Sequence, residues 1–141
     1  MKLRLKIYSD GASRGNPGSS AIAFMILAET GEILKRYSEY VGIRTNNQAE
    51  YEALIYALKF ASELTNQEVV CYLDSELVVK HLNGEYRVRN QNLKELWLKV
   101  EELKQKFHKT SFIHASRTER HIEEVDSLAN QTLNKATNGC I

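Results

Sequence analysis

Residues 10–18 read DGASRGNPG and follow directly on the alternating run KLRLKIYS at 2–9. In that run Leu3, Leu5 and Ile7 face one way and Lys2, Arg4 and Lys6 the other, the period-two signature of a strand. The strand delivers one carboxylate, Asp10, at its end. It then hands over to a loop in which Gly11, Gly15 and Gly18 allow tight turning or close backbone approach. An acidic group at a strand end, beside a loop open to backbone approach, suits a metal-phosphate site better than a core.

Outward from this stretch the pattern predicts two more strands, at about 20–28 and 32–41, with Thr30-Gly31 as the hairpin turn between them. A helix over about 46–64 follows. It carries Ala49, Ala53, Ile55, Leu58, Ala61 and Leu64 near helical spacing, with Thr45 or Asn46 to cap it. VVCYLD at 69–74 reads as a short buried strand. Helices at about 75–83, stopped by Gly84, and at about 92–107 come next, then a strand at about 110–115 and a last helix at about 123–136. The order βββαβααβα predicts an α/β domain: an antiparallel meander extended by crossover strands into a five-stranded mixed sheet, with helices on its faces.

The 141 residues suit one domain, and 43% hydrophobic with 26% charged content is ordinary for a globular chain. A net charge of +1 neither announces a nucleic-acid binder nor excludes one, because local patches outweigh the sum. The start of the chain alternates instead of offering a signal-peptide core, and no apolar run approaches the roughly 20 residues of a membrane span. A cytoplasmic monomer is the simplest expectation. Cys71 and Cys140 have no metal spacing and read as free thiols, or as a bridge tying the C-terminal tail to a strand.

Four acids stand out by position: Asp10 ending the first strand, Glu50 in the first turns of the long helix, Asp74 ending the fourth strand, and Asp126 beginning the last helix. Parallel strands would bring Asp10 and Asp74 together at one edge, where sites in such sheets gather. Converging carboxylates repel unless cations lie between them, and all-oxygen ligand sets select Mg²⁺ or Mn²⁺. Single acids are ordinarily solvated or capping groups, and Glu52, Glu123 and Glu124 are read that way; the weight lies in the joint pattern.

DGASRGNPG, TNNQAEYEAL (45–54), YLDSELVVKHLNG (72–84) and VDSLANQ (125–131), in this order and spacing, resemble type 1 ribonuclease H across nearly the whole chain. The resemblance implies the ribonuclease H fold and hydrolysis of the RNA strand of RNA/DNA hybrids with two Mg²⁺ ions, Mn²⁺ being a substitute. It implies Asp10, Glu50, Asp74 and Asp126 as catalytic metal ligands, with Asp10 bridging both ions. It places Gly11, Ala12, Ser13 and Asn16 on the surface that reads the 2′-hydroxyl, with Asn46, Asn47 and Gln48 opposite. Thr45 matches a position that holds a DNA phosphate, although capping the helix is an equal use for Thr45, Asn46 and Asn47.

Three departures stand out. Glu76 occupies a substrate-contacting position where many relatives carry glutamine. HLNGEYRVRNQNLKELW (81–97) leaves no room for the basic protrusion of many bacterial relatives; Arg87 and Arg89 offer modest basic character, so hybrid binding is expected to be weaker and salt-sensitive. Ser116 stands where many relatives have a loop histidine. Arg117, Arg120 and His121 are candidates for its assisting role, with His114 reading as structural and a solvated loop as the alternative for the others. His81, Trp97, Tyr51 and Tyr56 read as packing. Competing functional readings are a hybrid-binding module of the same fold that does not cut, and another nuclease or nucleotidyl transferase on a related fold. Cleavage of RNA/RNA duplexes is a further question of breadth.

Overall fold

The computed structural model describes residues 4–138. Lys2 and Leu3 of the first expected strand, and Cys140 with its expected thiol or bridge, lie outside them. Nine elements follow in order: β1 (Arg4–Gly15), β2 (Gly18–Ala28), β3 (Ile33–Arg44), α1 (Asn46–Leu64), β4 (Glu68–Leu73), α2 (Glu76–Leu82), α3 (Gln91–Lys104), β5 (Lys109–His114) and α4 (Arg120–Asn138). The sheet order is β3-β2-β1-β4-β5. β1 is antiparallel to β2, β2 antiparallel to β3, and the β1–β4 and β4–β5 pairs are parallel. This is the ribonuclease H fold, and the expected element order holds.

The period of β1 divides the molecule. Leu5 and Ile7 face a large core shared with Ile22, Phe24 and Ile26 of β2, with α1, and with Val78, Leu93 and Val100 of the two shorter helices. Tyr8 and Ala12 face the opposite way, into a smaller core with Ala21, Ala23 and Met25 under Ile122, Val125, Ala129 and Leu133 of α4. α1 lies close to the sheet because Ala49, Ala53, Ala57 and Ala61 recur every fourth residue and are all fully buried. Its start is fixed by a capping box: Gln48 N donates to Thr45 Oγ1 (3.2 Å), and Thr45 N donates to Gln48 Oε1 (2.9 Å). Leu64, the last member of the expected stripe, is exposed at the helix end. Tyr51 and His81 pack inside, joined by a Tyr51 hydroxyl–His81 Nδ1 hydrogen bond of 3.0 Å, and burial keeps His81 below the ordinary histidine range.

Two expectations are corrected. The first strand does not stop at Asp10. It continues through the glycine-rich stretch to Gly15, paired with β2 in unbroken register from Leu5↔Ala28 to Gly15↔Gly18. The stretch is therefore an arm of a long hairpin and not a loop. Its pairing with β4 does end early, at Tyr8↔Tyr72, so Asp10 lies two residues past the point where the parallel ladder opens. Gly11 serves a close approach inside the chain: a Cβ there would stand 2.3 Å from the Ala49 carbonyl carbon. Asp126, secondly, lies in the second turn of α4 and not at its start. The helix begins at Arg120 because the Glu119 carboxylate accepts from the backbone N–H groups of His121 (3.0 Å) and Ile122 (3.1 Å).

Candidate metal centre and nucleic-acid groove

The cleft of about 390 Å³ at the open end of the β1–β4 ladder is lined by Asp10, Gly11, Asn46, Asn47, Glu50, Asp74, Ser75, Arg117, Ile122 and Asp126. Four separate pieces of chain bring the acids there. Asp10 shares with Tyr8 and Ala12 the face turned to α4, which carries Asp126. Glu50 comes from α1 on the opposite face of the sheet. It reaches the cleft because the strand ladder has opened, and its Oε1 accepts from Gly11 N at 2.8 Å. Asp74 is the first residue after β4. One carboxylate oxygen from each of Asp10, Glu50 and Asp74 lies within 4.8 Å of the others.

Burial shapes the chemistry. Asp10 is 4% exposed and Glu50 6%. Desolvation pushes the Asp10 carboxyl far above the ordinary range, and the charges of Glu50 and Asp74 push it the same way. Burial also raises Glu50, against hydrogen bonds with Asp10 and the Gly11 N–H. Glu50 Oε2 has no hydrogen-bond partner among the described residues. An orphaned buried carboxylate oxygen, in an all-oxygen cluster that resists ionisation, fits a hard divalent cation. Arg117 is the nearby positive group, with Nε 3.6 Å from Asp74 Oδ2, although its side chain is 89% exposed.

A second, adjoining hollow of about 220 Å³ is lined by Asn16, Thr45, Asn47, Gln48, Asn90, Asn92 and Leu93. Asn16 Oδ1 accepts from Asn46 N at 3.0 Å, which ties the hairpin tip to the start of α1. Thr45 is the cap of α1 and also lines this hollow, so both expected uses of that position are geometrically available. Asn90 and Asn92 were not singled out from sequence. Asn90 caps α3, its Oδ1 accepting from Leu93 N at 3.1 Å, and a capping asparagine before an apolar stripe was the available signal.

Other singled-out residues lie elsewhere. Ser13 turns toward Ser20, Oγ to Oγ 2.5 Å, and Ala12 packs in the smaller core. Glu76 is exposed and paired to Lys80 at 3.0 Å. His121 packs at a tilt on Tyr8 (4.5 Å between centroids) and contacts Glu119 Oε1 through Nδ1 (3.0 Å), so it is held against the smaller core. Arg120 lines a separate hollow with Arg36 and Glu123. Of the three loop candidates, Arg117 is the one that lines the carboxylate cleft. His114 Nε2 lies 3.2 Å from the Asp74 carbonyl oxygen. Cys71 is a buried thiol without a disulfide partner among the described residues, and burial raises its pKa.

Residues 8–132, which build this fold and its carboxylate cleft, match the model of the reverse transcriptase-like family. The chain belongs to that family and is a compact ribonuclease HI-like domain. It is 37% identical over 133 residues to the ribonuclease HI of Halobacterium salinarum, covering 94% of this chain and 66% of that protein. Its fold matches the N-terminal RNase H domain of Rv2228c from Mycobacterium tuberculosis with a TM-score of 0.91, at 28% identity over 99% of this chain and 100% of that one. It matches LC11-RNase H1, solved in complex with an RNA/DNA hybrid, with a TM-score of 0.87, at 38% identity over 94% and 99%. The chain spans only 36% of the full bifunctional mycobacterial protein.

Proposed function

We propose that this chain hydrolyses the RNA strand of RNA/DNA hybrids, leaving 5′-phosphate and 3′-hydroxyl ends. The observation that carries the reading is the meeting of Asp10, Glu50 and Asp74 within 4.8 Å, with Asp126 lining the same cleft. The hybrid-bound LC11 enzyme supports the substrate class. Asp10, Glu50, Asp74 and Asp126 would hold Mg²⁺ or Mn²⁺. When bound, a pair of such ions supplies Lewis-acid activation of the attacking water and of the leaving 3′-oxygen.

The remaining work falls to the chain. Gly11 and Asn16 hold the hairpin arm against α1, so that Glu50 is aimed at the cleft before any ligand arrives. The asparagine-lined hollow, with its uncharged donors and acceptors and the start of α1, suits a phosphate and ribose of the second strand. Arg117 contributes a positive group at the exposed rim. An exposed arginine suits the release of a phosphorylated product better than its tight retention. Glu76, held by Lys80, offers acceptors only and so contributes little toward phosphate.

The test is an end-labelled hybrid incubated with Mg²⁺, with Mn²⁺ and with chelator, beside RNA/RNA and single-stranded controls. Metal-dependent internal cuts confined to the RNA strand of the hybrid are expected. Hybrid binding without cutting would replace the reading with a binding module, and cuts in RNA/RNA would widen the substrate class.

A further inference from the structure

Asp126 differs from the other three acids in being exposed on a helix surface. Glu50 is fixed by the Gly11 N–H, Asp10 is fixed by burial, and Asp74 pairs with Arg117. The side-chain hydrogen bond to Asp126 comes instead from α4 itself. One turn along α4, Asn130 Nδ2 donates to the Asp126 carbonyl oxygen at 2.9 Å and to Asp126 Oδ1 at 3.3 Å. Asn130 is itself oriented from the hairpin arm. Arg14 Nη2 donates to Asn134 Oδ1 (2.8 Å), to Asn130 Oδ1 (3.4 Å) and to the Asn130 carbonyl oxygen (3.5 Å).

The chemistry of these groups sets the direction of the chain of bonds. A guanidinium only donates and a carboxylate only accepts, whereas an amide does each from a different end. With Arg14 facing its oxygen, the Asn130 amide presents its NH₂ to Asp126. We infer that Asn130 is a positioning residue that holds the Asp126 carboxylate toward the cleft, and that Arg14 sets the amide's orientation. The β1 arm thereby steadies acids on both sides of the sheet: Glu50 through Gly11, and Asp126 through Arg14 and Asn130. This inference rests on the metal-binding reading of the cleft.

The experiment is a calorimetric titration of the whole chain with Mn²⁺, paired with the Mg²⁺ dependence of hybrid cleavage and with the KM for hybrid at saturating metal. Asn130→Ala should weaken Mn²⁺ binding and raise the Mg²⁺ needed for half-maximal rate by roughly 10-fold, with KM for hybrid unchanged. Asn130→Asp, which keeps the shape but loses the donor and adds repulsion, should do at least as much harm. Arg14→Ala should give a smaller shift of the same kind, and combining it with Asn130→Ala should add nothing, because Arg14 acts through the amide. Melting curves check that each variant folds; Arg14→Ala, at an exposed site, keeps the test open if Asn130 variants do not. Unchanged metal dependence in Asn130→Ala and Arg14→Ala, or a change confined to KM for hybrid, overturns the inference. A parent chain that binds Mn²⁺ but cuts no hybrid sinks the proposed activity alone, and the calorimetry still decides the role of Asn130. A parent chain that binds no Mn²⁺ overturns both.

Discussion

The two halves of β1 are one continuous strand with opposite energetics. From Leu5 to Tyr8 it lies between β2 and β4, with Leu5 and Ile7 fully buried in the larger core. From Asp10 to Gly15 it has lost β4 and keeps only β2. The first half gains stability by removing apolar surface from water, about 1.5–3 kcal/mol for each fully buried aliphatic side chain. The second half does the reverse: it carries a carboxyl that burial and two neighbouring acids drive away from its charged form. The site exists where the ladder opens, because only there can a helix from each face of the sheet reach the same carboxylate.

The sharpest way to break this comparison is Asp10→Asn. Loss of an oxygen ligand that serves the reaction should lower hybrid cleavage by about three orders of magnitude. Without added metal the same variant should melt higher than the parent, since a carboxyl that burial and its acidic neighbours disfavour is replaced by an amide with no charge to suppress; a lower melting point would contradict the electrostatic account of the arm. Gly11→Ala comes next. The added methyl meets α1 backbone that cannot step aside, so a stability loss of about 3 kcal/mol is expected, accompanied by loss of activity because Glu50 is displaced. Denaturant melts together with cleavage assays read both effects. In the lower half, Ile7→Val should cost about 1 kcal/mol and leave the Mg²⁺ dependence of cleavage untouched.

The last effect is one of pH. Asp10 and Glu50 have folded-state pKa values above those of the unfolded chain. The folded state therefore holds more protons, and the stability from this pair is full below the ordinary carboxylate range and is lost as pH rises through the folded values. Metal-free protein should melt lower at pH 8 than at pH 5 from this source. Asp10→Asn should flatten the slope, and saturating Mg²⁺ should remove it. A slope identical in parent and variant would assign the pH response to other groups.

Much of this was legible in the sequence, for reasons that differ from residue to residue. The bounds of α1, from Asn46 to Leu64, followed from Thr45 as cap and from a stripe of apolar residues at helical spacing. The cluster of acids followed from their recurrence at ends of elements, and their roles from resemblance. The arm was misread as a loop because glycine weakens a strand in general, while here Gly11 is required by a helix distant in sequence. The early start of α4 was hidden because glutamate is an uncommon cap, and only the fold shows Glu119 accepting from two backbone N–H groups. Asn130 and Arg14 escaped notice for a similar reason: they meet across 116 residues of chain, and no local pattern announces that contact.

The unbroken register of the β1–β2 hairpin also limits how this chain can change its length. Successive residues of the arm face opposite layers, so deleting one residue between Gly11 and Gly15 exchanges the faces of those beyond it. Arg14 would then turn toward α1 and Ser13 toward α4. Length variants that keep both register and facing must therefore change each arm of the hairpin by the same even number of residues.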